Sequence, residues 1–133
     1  MAGDRRQRHA SGAPWEGRYG YSRAVRIGNV VAVSGTAAVD ERGQTVGADA
    51  GAQARYAFAK ALGALAALGG GPADVVRTRM YVVDIARDAE AVGLAHAEAL
   101  GDARPATSMV EVRALIAPDL LVEVELDAVV GGS

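Results

Sequence analysis

The stretch Ala24-Val25-Arg26-Ile27-Gly28-Asn29-Val30-Val31-Ala32-Val33 decides the fold. Two runs rich in β-branched residues flank Gly28-Asn29, a two-residue turn of the type that closes hairpins, so the reading is a pair of antiparallel strands. Downstream, Glu41-Arg42-Gly43 separates Ala37-Ala38-Val39 from Gln44-Thr45-Val46 and predicts a second, shorter hairpin. Over residues 49–68 the period changes. Phe58, Ala61, Leu62, Leu65 and Leu68 recur at helical spacing, Gly69 stands where a left-handed cap belongs, and Gly70, Gly71 and Pro72 stop the helix. No Gly-Lys-Ser/Thr follows that glycine run and a helix precedes it, so it is a helix stop and not a phosphate cradle.

Residues 75–85 alternate as a strand, with Arg77, Arg79, Tyr81 and Val83 on one face and Val76, Thr78, Met80 and Val82 on the other. A second helix is expected over 88–100, with Val92, Ala95, Ala99 and Leu100 inward, ended by Gly101 and released by Pro105. Two more strands are expected at 107–113 and 121–130. Residues 1–17 follow neither hydrophobic period and read as irregular. The order strand-strand, helix, strand, helix, strand-strand gives an α+β fold with one mixed sheet and two helices on the same side.

Composition agrees with one domain. The chain has 133 residues, half of them apolar, and 23% charged, which supports a single buried core. Aromatics are few, so Val, Leu, Ile and Ala must fill that core, and oligomerisation would help it. The net charge is −2 and the pI about 5.6, which supplies no basic field for nucleic acid. The basic cluster Arg5, Arg6 and Arg8 reads as a solvated, frayed terminus. With no cysteine, disulfides, thiolate catalysis and Cys-ligated metals are excluded. No apolar run reaches the ~18 residues of a membrane span, and a cytoplasmic location away from membranes is expected.

If both helices cover one face, the other presents Arg79, Tyr81, Met109, Glu111, Glu123 and Glu125, too mixed for a solvated surface and too polar for a core. A partly buried, charge-paired face at a subunit contact resolves this. His9 and His96 form no His-Glu-x-x-His pattern and no metal is expected. Ser34 lacks the Gly-x-Ser-x-Gly frame of a hydrolase nucleophile and reads as a strand-end cap or a ligand donor. His96 is either an acid or base or a half-exposed helix residue, the second reading being favoured because it has no visible orienting partner. Glu123 and Glu125 share a face, Glu111 on a neighbouring strand could join them, and crowding would raise one carboxyl toward general-base range. A salt-bridge lattice with Arg79 and Arg113 is the other reading. The residues alone leave both open.

Read in order, Gly28-Asn29-Val30-Val31-Ala32-Val33-Ser34-Gly35, Ala52-Gln53-Ala54-Arg55, Asp74-Val75-Val76-Arg77-Thr78, Arg104-Pro105-Ala106-Thr107-Ser108-Met109-Val110-Glu111-Val112 and Leu121-Val122-Glu123-Val124-Glu125 resemble the Rid superfamily, the YjgF-type reactive-intermediate deaminases. The resemblance spans about residues 21–130 and implies a chorismate-mutase-like α+β domain over 18–131, a homotrimer, and ligand clefts between adjacent subunits. It also implies hydrolysis of 2-imino or 2-enamino acids to 2-keto acids without a cofactor. Carried over position by position, Glu123 becomes the water-activating carboxylate, Gly35 the backbone contact and Tyr21 a cleft-lining aromatic. The family's carboxylate-binding arginine falls at Thr107, and Gly93 stands where deaminase members usually place an Asn.

A hydroxyl cannot replace a guanidinium fork, so this chain is similar to an arginine-lacking subgroup. Arg79 is the expected substitute cation, with Arg104, held extended ahead of Pro105, as the other candidate. Thr107 and Met109 would line a less charged pocket for a neutral small-molecule imine, enamine, carbonyl or amide. The leading expectation is a pathway-specific hydrolase. A trimeric ligand-binding or regulatory module without turnover is the alternative, and an endoribonuclease stands behind both because the acidic chain lacks a basic aromatic stripe.

Overall fold

The computed structural model describes residues 5–131. β2 (Ala24–Ile27) and β3 (Val30–Ala37) form the expected hairpin about Gly28, whose φ of 60° is the left-handed value that a tight turn demands. The chain then makes α2 (Ala50–Ala67), β4 (Val75–Val82), α3 (Ile85–Leu100), β5 (Ala106–Glu111) and β6 (Val122–Val129). With β1 (Gln7–His9), the described residues form a six-stranded sheet in the order β1-β2-β3-β6-β4-β5, parallel only between β4 and β5, which α3 joins as a crossover. α2 packs on β3 and β6, and α3 on β4 and β5, so both long helices cover the same face, as the sequence requires.

The core lies between them. Val31, Val33, Met80, Val82, Val122, Val124 and Leu126 point up from the sheet, and Phe58, Leu65, Val92 and Ala95 come down from the helices, all buried. Asp49 caps α2 by accepting from the Ala52 amide at 2.8 Å. At the other end Gly69 takes a φ of 93°, and Arg26 on β2 donates to the Leu68 carbonyl at 2.6 Å, satisfying a helix-end acceptor from the sheet.

Three expectations are corrected. The first 17 residues are not irregular throughout. β1 (Gln7–His9) pairs antiparallel with β2, and α1 (Pro14–Tyr19) opens on a proline at its first turn. Backbone pairing to a free sheet edge requires no hydrophobic period, which is why this strand leaves no pattern. Residues 1–4 of that segment lie outside the described residues. The second hairpin is reduced to one bridge, Val39 to Thr45, around Gly43. The strand expected over 75–85 stops at Val82, because the Asp84 side chain accepts from the Arg87 amide at 3.1 Å and starts α3 at Ile85, not at 88.

Gln53 connects the helix layer to the approach of β6. Its side chain is 1% exposed, donates to the Gly47 and Asp119 carbonyls at 3.2 and 3.0 Å, and accepts from the Leu121 amide at 2.8 Å. It thereby fixes the chain two residues before Glu123. Gln53→Leu leaves these groups without partners and should destabilise the fold by about 1–3 kcal/mol. Urea unfolding will show this as a lower midpoint at unchanged slope; an unshifted midpoint would mean the loop is held by something else.

Candidate functional site

The outer face of the sheet, opposite the helices, carries the charged residues. Along β6 the even-numbered residues are buried in the core and Glu123, Glu125 and Asp127 alternate outward. β3 reaches the same face through a bulge: Val33 pairs with Leu126 and Thr36 with Val124, so β3 spends one extra residue at Ser34-Gly35. That bulge brings the backbone of Gly35 against Glu123. A Cβ on residue 35 would lie 2.7 Å from Glu123 Oε2 and 3.1 Å from its Cδ, so only glycine leaves the carboxylate in place.

Arg23 holds the bulge from the other side. Its guanidinium donates to the Gly35 carbonyl at 3.0 Å and to Thr36 Oγ1 at 3.2 Å, lies 3.7 Å from Glu16, and sits 5.6 Å over the Tyr21 ring. Glu16, itself 6% exposed, accepts from the Ser11 amide at 3.0 Å and from the Ser11 hydroxyl. Ser34 donates to the Ser22 carbonyl at 2.5 Å, which ties the bulge to the Tyr21 segment and leaves its hydroxyl proton committed within the fold. Arg23 thus links the exposed Tyr21 ring to the Gly35 bulge, against which the half-buried Glu123 sits. Burial pushes the Glu123 carboxyl above the ordinary carboxylate range; Arg23 partly opposes this and Glu125 adds to it.

Arg79 lies on the same face but is engaged. It pairs with Glu125 and Asp127 at 3.3 Å each, and Tyr81 donates to Glu125 at 2.7 Å, an interaction that raises the phenol above its usual range. Arg79, Glu125 and Asp127, together with Arg6, Arg8 and Tyr21, border an open depression of about 480 Å³. The basic terminus, read as frayed, therefore lies along this face at Arg6 and Arg8.

β5 departs from the sequence reading. Ser108 pairs with Arg79 and Val110 with Tyr81, so these two share the outer face, whereas Thr107 and Met109 pair with Thr78 and Met80 on the helix side. Glu111 is not grouped with Glu123 either; it accepts from the Ile85 amide at 3.1 Å, at the start of α3. The parity of a strand cannot be set from its own alternation when both faces are half-polar, because a one-residue shift exchanges the faces. Within one chain Thr107 and Met109 lie on the face opposite Glu123. Arg104 is also not extended: it takes a left-handed φ of 44° as the chain leaves a 3-10 turn at Gly101–Ala103.

His96 acquires the orienting partner that the sequence did not reveal. Its Nε2 lies 2.7 Å from Thr78 Oγ1, which is 2.7 Å from Thr107 Oγ1, and the Phe58 ring meets the imidazole edge-on at 5.5 Å. Burial lowers the His96 pKa from its usual value. Among the described residues no three His, Asp or Glu side chains are grouped to hold a metal, and no helix is long and apolar enough to cross a membrane. Arg23 and Glu16 are the site residues that sequence reasoning missed; the only available signal was Arg23 standing two residues after Tyr21, in a segment without a periodic pattern.

A mixed six-stranded sheet under two helices, with one raised carboxyl seated at a glycine bulge, makes an α+β domain whose outer face is polar. The chain belongs to the endoribonuclease L-PSP family, the YjgF/UK114 group of the Rid superfamily, whose family model matches residues 13–130. It is 52% identical to the Mycobacterium tuberculosis protein Rv2704, described as a member of the YjgF/YER057c/UK114 family, with a TM-score of 0.86 over 95% of this chain and all of that one. A Pseudomonas aeruginosa protein of unknown function is 32% identical, with a TM-score of 0.81 over 96% of this chain and 94% of that one. An uncharacterised Streptomyces coelicolor protein is 38% identical over 96% of this chain and 95% of its own.

The raised Glu123 carboxyl has a consequence for stability. The unfolded chain titrates Glu123 near the ordinary value and the folded chain above it, so the folded state holds the extra proton between the two, and stability falls as pH rises through that window. Above it the charged carboxylate is a standing cost. Glu123→Gln should therefore melt at or above the wild-type temperature at about pH 7, with the difference vanishing below about pH 4. A variant less stable than wild type at neutral pH would contradict the burial argument.

Proposed function

We propose that this protein is a Rid-like hydrolase of a neutral imine, enamine, carbonyl or amide-type metabolite, in which Glu123 activates water at a cleft between subunits of a homotrimer. The observation that carries the reading is the Glu123 carboxyl, held against the Gly35 backbone and biased toward its protonated form, since a base must be within reach of neutral pH to take a proton from water. Tyr21 offers an aromatic wall and the bulge offers backbone groups.

An intersubunit cleft is supported by the faces of the sheet. Glu123 and Thr107 lie on opposite sides of one chain, so they serve one ligand only if the β5 edge of one subunit closes over the Glu123 face of the next. The mixed outer face, with Arg79 neutralised by two carboxylates, suits such a contact. That same pairing leaves Arg79 poorly placed to bind a substrate carboxylate, which favours a neutral substrate. Cytoplasmic action needs no further device.

A non-catalytic ligand-binding module would use the same cleft, with Glu123 contributing affinity alone. The family's description and a 28% identical Thermotoga maritima relative, described as a putative endoribonuclease, suggest a third reading. On the outer face Arg79 is already paired with Glu125 and Asp127 and Glu123 adds a further carboxylate, so attraction for a phosphate backbone would rest there on Arg6 and Arg8, and the reading ranks behind the others.

The test uses 2-iminopropionate generated in situ. Wild type should hydrolyse it poorly. Thr107→Arg supplies the bidentate anchor, worth roughly 2–5 kcal/mol in a desolvated cleft, and should raise the rate on the order of 30- to several-thousandfold. Adding Glu123→Gln should remove that gain. No gain with Thr107→Arg would refute the cleft, a gain that survives Glu123→Gln would refute the base, and light scattering should report about three chains.

A further inference from the structure

The His96, Thr78 and Thr107 side chains form a continuous chain of short hydrogen bonds from a half-buried imidazole to the exposed edge strand, 2.7 Å at each step. Thr78, in the middle, is wholly buried. A hydroxyl has one proton, so Thr78 must donate to one neighbour and accept from the other. Two directions satisfy this, and we take the one in which Thr78 donates to Thr107, so that His96 donates to Thr78 through Nε2–H. The direction is the same for the Nε2–H form of the neutral ring and for the protonated ring, since in both Nε2 carries hydrogen. With one of its two lone pairs engaged by Thr78, the Thr107 hydroxyl on the exposed edge strand still has its own proton to donate.

We infer that Thr107 is the outward end of a hydroxyl relay from His96 through Thr78, which aims the Thr107 proton at the carbonyl oxygen or imine nitrogen of a neutral ligand at the β5 edge. The inference rests on the reading that this edge closes the Glu123 cleft of a neighbouring subunit, and it names what stands in place of the absent guanidinium: a single fixed donor suited to an uncharged acceptor. Thr107 touches the ligand; Thr78 and His96 are positioning residues. The groups facing His96 are Phe58 from α2, Thr78 from β4, and Asp102 and Arg104, which line a cavity of about 490 Å³ beside the ring. Burial, which lowers the His96 pKa, keeps the ring neutral near pH 7, and the hydrogen-bond chain then selects its tautomer.

Nitrogen-15 spectra of the His96 ring report that tautomer directly. Wild type should show Nε2 protonated. Thr107→Val preserves shape and strand preference but removes the acceptor, so the buried Thr78 proton has only His96 Nε2 to turn to, and the ring should switch to the Nδ1–H form. Thr107→Ser should restore the wild-type spectrum. A wild-type ring already in the Nδ1–H form, or an unchanged tautomer in Thr107→Val, overturns the relay. Pyruvamide, a neutral 2-oxo amide, probes the ligand: it should bind saturably to wild type and about tenfold more weakly to Thr107→Val. Absence of binding, or equal affinity for both, overturns the ligand assignment. The tautomer depends on none of the Glu123 chemistry, so this inference and the hydrolase reading fail separately.

Discussion

A carboxylate and a backbone occupy adjoining space at the centre of the outer sheet face, and the arrangement around them follows from that. Glu123 Oε2 lies 2.7 Å from where a Cβ of residue 35 would be. The approach requires glycine, the extra residue of the β3 bulge brings that glycine to Glu123, and the bulge requires partners for a backbone that has left the ladder. Arg23 supplies two: its guanidinium donates to the Gly35 carbonyl, and its own carbonyl accepts from the Ser34 amide at 2.9 Å. Glu16, fixed by Ser11, then neutralises Arg23. The N-terminal segment thus supports the site and is more than a leader to the sheet.

The two faces of β4 and β5 do different chemistry. Outward, Arg79, Tyr81, Glu125 and Asp127 close into a self-neutralising network that leaves little free charge for a ligand. Inward, the Thr78 hydroxyl joins a helix residue to an edge strand and so links the α layer to the rim of the sheet. In the proposed site, a relay of this kind standing where a guanidinium fork would bind an anion favours directional recognition of a neutral acceptor.

Much of this was legible beforehand because local rules and burial agree. The Gly28-Asn29 hairpin, the Phe58–Leu65 stripe and the Gly69 stop are each set by residues within one turn of the chain. Glu123 and Glu125 were placed on one face correctly because β6 alternates strictly between core and polar residues. β5 was not legible: Ala106–Glu111 is largely exposed on both faces, so its parity is fixed only by pairing with β4. The roles of Arg23 and His96 are hidden for a related reason, since their hydrogen-bond partners lie 12 or more residues away and share no pattern with them.

By seating Glu123 half-buried beside Gly35, the fold raises this carboxyl above the ordinary glutamate range, and the proposed role as a base rests on that shift. A carbon-detected titration of the Glu123 side-chain carboxyl measures it without any substrate. The account predicts a midpoint clearly above the ordinary glutamate value of about 4.3, shifted in Gly35→Ala, where the new methyl group displaces the carboxylate. A wild-type midpoint at or below that ordinary value would contradict it.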